Sequence, residues 1–196
     1  RGYLTKRLNE GLRMTTTEFF ARMDSHNLAD KTRLEKQRTF LLKNKNVVLA
    51  GSNFIRKSES GEVISRSNFP LTWGEIKNKI MEKNFFKHAS WFARYEVLKK
   101  EGFYNEDWRF SQDYEFLLRL VPKYPVAILP DYLLTEIQIK KAMSQVHRFD
   151  QALLVLRAQI KSLKWYPKWQ IIYLLRTAGY VINSFIWQYL HVFKTG

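Results

Sequence analysis

A chain of 196 residues, 45% hydrophobic and 15% aromatic, suffices for one domain with a real core and is too apolar to stay disordered. The lack of cysteine excludes disulfides and thiolate metal sites and fits a reducing compartment. A formal net charge of +15 favours anionic partners, whether nucleic acid, an acidic membrane face or phosphorylated substrates, although a solvated basic surface gives the same number. No repeat or low-complexity tract is visible, and no signal peptide opens the chain. Residue 1 is Arg1, and Leu4, Leu8 and Leu12 fall on one face of a helix already under way. The natural beginning of the chain is therefore expected to be missing.

In chain order, residues 4–13 read as an amphipathic helix and residues 18–23 (EFFARM) as a buried strand. A polar turn with Asp24 and His26 follows. Residues 31–43 read as a helix opened by a capping box, Thr32 with Glu35. Residues 47–52 (VVLAGS) read as a second strand ended by Gly51, followed by a short hairpin turning at Ser60-Gly61. Residues 73–82 look helical. A strand near Ser90 to Ala93 leads into a helix that stops at Gly102. "SQDYEFLLRLV" starts a helix near Asp113 and buries Phe116, Leu117 and Leu120, and "VAILP" is a short strand closed by Pro130. Strands alternating with helices predict an α/β layered sheet.

The last third differs. From Ala142 to Leu163, apolar residues at 142, 146, 149, 153, 156, 160 and 163 predict an amphipathic helix. Pro167 breaks it. From Lys168 to Phe193 the chain is mostly apolar, with a narrow polar stripe at Gln170, Thr177, Ser184 and His191, flanked by Arg176 and Asn183.

The segments "LTKRLNEGL", "ARMDSHN", "RLEKQRTFLLKN", "LAGSN", "KHASWF" and "EGFYNEDWRFSQDYEFLLRL" occur in that order. Together they resemble a family 2 glycosyltransferase of the GT-A fold, over roughly residues 3–135. The resemblance implies an α/β sheet of GT-A type lacking its first β/α units, with residues 1–140 catalytic and 141–196 a helical extension. It implies inverting transfer of a sugar from a nucleotide-diphospho-sugar to a hydroxyl of a glycan or lipid-linked acceptor, in cell-envelope or surface polysaccharide synthesis. In the family an Asp-x-Asp motif ends a central strand and holds a divalent metal against the donor diphosphate. Asp24 matches its first aspartate, and His26 stands where the second would be, with Asn27 after it. The family's catalytic base matches Asp113, and a family histidine matches His88, with Ala89 in place of a proline.

Carboxylate oxygens suit Mg²⁺ or Mn²⁺, whereas imidazole suits Mn²⁺ better, so Asp24 with His26 favours Mn²⁺. The plain alternative is that His26 is a solvated turn residue. Asp113 as general base would take the acceptor's proton, and aspartate at a helix start is also an ordinary cap. Glu115 either orients the acceptor or merely occupies the first helical turn. His88 is either a substrate contact or a satisfied structural histidine, and Trp91 reads as core. Lys140 and Lys141 either meet a diphosphate or form a solvated pair, and Arg22 carries no assignment. The terminal helix lies in a membrane interface, packs on protein, or spans the bilayer, and Arg176 and Asn183 argue against spanning. An interfacial helix would place the enzyme in the cytoplasm, peripheral on the inner face of the cytoplasmic membrane. A truncated or degenerate, non-catalytic fragment is the competing reading. Nucleic-acid binding is not expected, since no helix-turn-helix, RNA-binding sheet motif or zinc spacing accompanies the charge.

Overall fold

The computed structural model describes residues 4–138 and 148–192. Its centre is a mixed sheet buried on both faces, and the sequence shows why. Successive residues of a strand point to opposite faces. Strands β3 (Leu49–Lys57), β5 (Phe92–Arg94) and β6 (Val126–Ile137) are apolar at consecutive positions. Leu49, Trp91, Ala93, Val126 and Ile128 therefore enter one core, while Ala50, Phe92, Ala127 and Leu129 enter a second one. Two-sided burial is the condition for a parallel pair, and β3 and β6 are parallel. The sheet order is β1-β5-β3-β6-β2, with β1 (Phe19–Ala21) and β2 (Asn27–Ala29) at its ends. Strand β4 (Val63–Arg66) pairs with the far half of β3 as a hairpin. Its turn uses Gly61 at φ +90°, a conformation that favours glycine.

Several boundaries differ from those the sequence predicts. Gly51 does not end β3 but lies inside it. A Cβ there would meet Phe86 Cδ1 at 2.8 Å, so glycine is present for close approach. Pro130 does not close β6. The register jumps from Ser52–Leu129 to Asn53–Tyr132, and proline sits in the resulting bulge, where no ladder donor is needed. The polar stretch after Asp24 contains β2, paired with the continuation of β6. In helix α2 (Arg33–Lys43) the Thr32 hydroxyl makes no cap and donates instead to Asp30 Oδ1 at 2.6 Å. The true capping box is Thr72 with Glu75, at helix α3 (Trp73–Lys79).

Helix α1 (Leu4–Arg13) buries Leu12 but leaves Leu4 exposed. Its docking is partly polar. Asn9 Nδ2 donates to Tyr104 O at 2.8 Å, the Tyr104 N–H donates to Asn9 Oδ1 at 3.1 Å, and the Thr5 hydroxyl donates to Trp108 O at 2.6 Å. Helices α4 (Tyr95–Lys100) and α5 (Gln112–Leu120) complete the larger core.

The last two helices, α6 (Arg148–Ser162) and α7 (Ile171–Val192), dock with mixed polar and apolar contacts, Leu154, Val155 and Tyr173 packing against the larger core. Toward the protein, α6 presents Ala152, Ala158, Gln159 and Ser162. Gln159 Nε2 donates to Met81 O at 2.7 Å, and the buried Gln170 donates to Lys77 O and Asn78 O at 3.4 Å each. Outward, Leu153, Ile160, Ile171, Leu175, Ile182 and Ile186 are between 47% and 64% exposed. Of the predicted apolar stripe, Leu153 and Ile160 face outward, while Leu163 packs against the larger core. Ala158 and Tyr166 nonetheless join the larger core, which fixes both helices to the sheet. Residues 142–147 of the expected helix, with Lys140 and Lys141, lie outside the described residues.

Candidate active site

The site lies beyond the end of β1. The Arg22 N–H donates to Trp91 O at 2.9 Å, so the chain leaves the sheet one residue after the strand. Buried Arg33, on α2, then holds this exit. It donates to Arg22 O at 2.7 Å and to Trp91 O at 3.3 Å. It also contacts Met23 Sδ at 3.2 Å and Gln37 Oε1 at 3.0 Å. Burial lowers its pKa to about 10, still well above neutrality. The Asp24 carboxylate, about a quarter exposed, accepts from the Arg22 guanidinium. His26 is exposed at the turn. Asn27 is buried, and neither of its side-chain amide atoms has a partner.

Strand β2 carries this turn toward a second cluster. Asn27 is directly opposite Glu136 in the β2–β6 ladder, which puts both side chains on one face. Glu136 accepts from Lys87 and, at 2.8 Å, from Arg56. Burial alone would raise its carboxyl, but hydrogen bonds and charge from Lys87 and Arg56 prevail and hold it below the usual range. Lys87 also lies over the Phe54 ring, 5.4 Å from its centroid.

Asp113 is the second residue of α5, after Ser111, which adopts the left-handed conformation at φ 53°. Its carboxylate accepts from Asn84 Nδ2 at 2.8 Å. Burial pushes its pKa up, while the backbone N–H groups of Tyr114 and Asp113, the Asn84 amide and the Lys87 charge pull against that. His88 shares a 2.7 Å hydrogen bond with the Tyr104 hydroxyl and packs edge-on against Trp91 at 4.7 Å. Burial first, then the Arg22 and Lys87 charges, bring its pKa down to about 3, so the ring is neutral at physiological pH. Tyr104 joins the two halves of the site. Burial raises its pKa most, Asp113 and Asp24 raise it further, and Arg22 opposes them. One hydroxyl therefore lies in the field of both aspartates and of Arg22.

Of the residues singled out by sequence, Asp24, His88 and Asp113 converge here. Trp91 is fully buried, as core. Glu115 does not join them. Two residues on a helix are about 200° apart, and Glu115, itself buried, takes two bonds from Arg119, at 2.7 and 3.1 Å. Arg119 also donates to Glu101 O and Phe103 O. Glu115 thus fastens the left-handed turn at Gly102 and Phe103. Sequence reasoning missed Asn84, Lys87, Tyr104 and Asn27. A cation directly before His88 and an amide after the aspartate were the available signals.

Among the described residues, no three His, Cys, Asp or Glu side chains come together to hold a metal. The Asp24 carboxylate and, three residues on, the orphaned amide oxygen of Asn27 are hard oxygen donors of the kind a divalent ion accepts when substrate phosphates complete its shell. These residues fit such an ion, with His26 as an exposed neighbour.

A family model described as glycosyl transferase family 2 matches residues 2–102. The chain belongs to this family. It is 34% identical, over 67% of its length, to the amylovoran biosynthesis glycosyltransferase AmsE of Erwinia amylovora, covering 49% of that protein. It is 29% identical over 63% of its length to the O-antigen biosynthesis glycosyltransferase WbnJ of Escherichia coli, covering 48%. The chain spans about half the length of these curated relatives. Its fold matches the crystal structure of S. aureus TarS 1-349 with a TM-score of 0.56 at 16% identity, over 80% of this chain and 45% of that one. TarS 1-349 in complex with UDP matches with a TM-score of 0.55 at 16% identity, over 79% and 44%. The sheet is of the GT-A type. The family generally works with a divalent metal.

Proposed function

We propose that the chain carries the acceptor-side part of an inverting glycosyltransferase active site. The observation that carries this reading is Asp113, a partly buried carboxylate with a raised pKa, held by Asn84 and sharing the Tyr104 field with Asp24. In the reaction, an acceptor hydroxyl oxygen attacks the anomeric carbon from the face opposite the leaving group, which inverts that centre. The bond from that carbon to the donor diphosphate breaks, and its electron pair leaves with the diphosphate. The hydroxyl proton passes to Asp113. Arg22 and Lys87 place positive charge beside the developing diphosphate. Asp24 and Asn27, with His26 as an additional ligand, would hold a divalent ion that supplies Lewis-acid neutralisation of the leaving group. Participation of His26 makes Mn²⁺ preferred over Mg²⁺. Neutral His88 orients through Tyr104. The donor is a nucleotide-diphospho-sugar, and the product belongs to a surface or cell-envelope polysaccharide.

The outward apolar face of α6 and α7 supports peripheral attachment to the inner face of the cytoplasmic membrane. After Asp150 the sequence has no acidic residue, while Arg157, Lys161, Lys164, Lys168 and Arg176 are basic, which suits acidic lipid. Among the described residues no helix is long and apolar enough to cross a membrane. Residues 1–140 are then the catalytic part and 141–196 the membrane-facing extension.

The test is release of nucleoside diphosphate from UDP- and GDP-sugars, with and without Mn²⁺. Metal-dependent release, abolished in Asp113→Asn only when acceptor is present, is expected. No release with any donor would support the non-catalytic reading.

A further inference from the structure

A helix cannot pair its own last carbonyls. At the end of α3 those carbonyls find their donors mostly in distant parts of the chain. Gln170 reaches Lys77 O and Asn78 O, and the Glu82 N–H donates to Lys79 O at 2.8 Å. The Tyr114 hydroxyl donates to Ile80 O at 2.7 Å, and Gln159 Nε2 donates to Met81 O at 2.7 Å. Two buried glutamines of the helical extension thus help to close a helix of the sheet domain.

The segment that follows holds the proposed base. Asn84 Oδ1 accepts from the Phe86 N–H at 2.9 Å, and Asn84 Nδ2 donates to Asp113 at 2.8 Å. One end of this amide is pinned to its own segment and the other to the carboxylate. Phe85 and Phe86 bury their rings in the larger core, but apolar contact is not directional. The hydrogen bonds at Ile80 and Met81 fix where the segment begins, and Met81 is three residues before Asn84.

Gln159 reaches both sides of the Asn84–Asp113 contact. Burial raises the pKa of the Tyr114 hydroxyl, and the Gln159 amide beside it pulls the other way. Tyr114 is the residue after Asp113. One side chain on α6 therefore joins the segment that carries Asn84 to the helix that carries Asp113. Gln159 is fully buried, and its Oε1 has no partner. Burying an amide with one end unsatisfied costs free energy that an aliphatic side chain does not. Packing alone would favour leucine or methionine here, and the glutamine is explained by what its Nε2 holds.

We infer that Gln159 is a positioning residue for the base. It keeps Met81 and Tyr114 in place, and through them it sets the contact between Asn84 and Asp113. The helical extension then completes the acceptor side of the active site. That Asp113 acts as the base rests on the glycosyltransferase reading. The coupling of Gln159 to the Asn84–Asp113 contact does not.

The experiment follows two nuclear magnetic resonance signals of the full chain, the Asn84 side-chain amide and the Asp113 carboxyl carbon. Each is identified by its loss, in Asn84→Ser and Asp113→Asn respectively. The groups that act on Asp113 are Asn84, Lys87, Tyr104 and the N–H groups of Tyr114 and Asp113 itself. Gln159→Met removes the donor at similar size. It is expected to speed exchange of the Asn84 amide protons about tenfold. It should also raise the Asp113 midpoint by about half a pH unit, because a bond that favours the carboxylate is weakened. Tyr114→Phe removes the other arm with little change in packing and moves both signals in the same directions. Thr72→Ala loosens the opposite end of α3 and leaves both at wild-type values. Unchanged signals in both Gln159→Met and Tyr114→Phe overturn the inference. Equal displacement by Thr72→Ala does so too, since any loss of stability would then suffice. Acceptor-dependent release of nucleoside diphosphate separates the inference from the reading it rests on. Turnover lowered about tenfold in Gln159→Met at unchanged donor KM supports the positioning role. Wild-type turnover in Gln159→Met, with Asp113→Asn inactive, overturns it. Turnover that survives Asp113→Asn overturns the base assignment alone, and the two signals still decide the coupling.

Discussion

Replacing Arg33 by Met removes the side chain that ties the exit of β1 to the rest of the site. The guanidinium makes three bonds to oxygen, to Arg22 O at 2.7 Å, Trp91 O at 3.3 Å and Gln37 Oε1 at 3.0 Å. Bonds from a charged donor contribute roughly 1.5–3 kcal/mol each, and their loss strands buried acceptors. Three of them come to roughly 7 kcal/mol at the middle of that range. Against this stands the desolvated charge. Burial lowers the arginine from 12.5 to about 10, a cost of roughly 3.5 kcal/mol at about 1.4 kcal/mol per pH unit. The difference predicts that Arg33→Met loses about 3.5 kcal/mol, read as a lower urea midpoint at unchanged slope. Arg33→Lys keeps charge but not the fork, and should lose about half as much. A loss under about 1 kcal/mol, or a gain, would show that the buried cation costs as much as its bonds return, and the reasoning about this exit would be wrong.

The remaining predictions address other parts of the structure. His88 has a folded pKa of about 3, below its ordinary 6.5, so the unfolded chain binds the extra proton between those values. Its contribution to stability is complete above pH 6.5 and is lost as pH falls toward 3, with a slope of up to about 1.4 kcal/mol per pH unit. Asp113, whose pKa is raised, contributes with the opposite sign, so the comparison of His88→Gln with wild type across this window isolates the histidine. Thr72→Ala should cost about 1 kcal/mol by removing a working capping box, and Thr32→Ala much less, because its hydroxyl caps nothing. Thermal unfolding of the pair decides this. Gly51→Ala should destabilise by about 1–3 kcal/mol, since the added methyl meets Phe86; an unchanged melting temperature would mean the ring moves aside freely. Ile182→Asp should cut flotation with phosphatidylglycerol vesicles severalfold while leaving the melting temperature nearly unchanged, because this exposed side chain lies on the outward face.

The sheet was legible where its residues obey a simple period. Consecutive apolar residues in "VVLAGS" and "VAILP" describe strands covered on both faces, and the structure buries both. The ends were harder to read. Gly51 and Pro130 are punctuation by composition, but their roles depend on Phe86 and on a register shift against β3, contacts that sequence spacing does not contain. The same limit applies to caps. Thr32 and Glu35 have the spacing of a capping box, yet Asp30 captures the Thr32 hydroxyl first. In α6 the apolar spacing predicts an amphipathic helix but not which side docks, and the buried side also includes Gln159 and Ser162. Asp24, His88 and Asp113 were singled out by motif order. Their neighbours Asn84, Lys87 and Tyr104 come beside them only when the chain brings distant segments together. Glu115 was open to a simple helical argument, being on the opposite side of α5 from Asp113.

Calorimetric titration of the chain with UDP and GDP, each with and without Mn²⁺, tests most directly whether the turn at Asp24 holds the diphosphate of the donor. The account predicts Mn²⁺-dependent binding of one of the nucleotides, removed by Asp24→Ala and retained in Asp113→Asn. Binding that ignores Mn²⁺, or that survives Asp24→Ala at wild-type affinity, would contradict it.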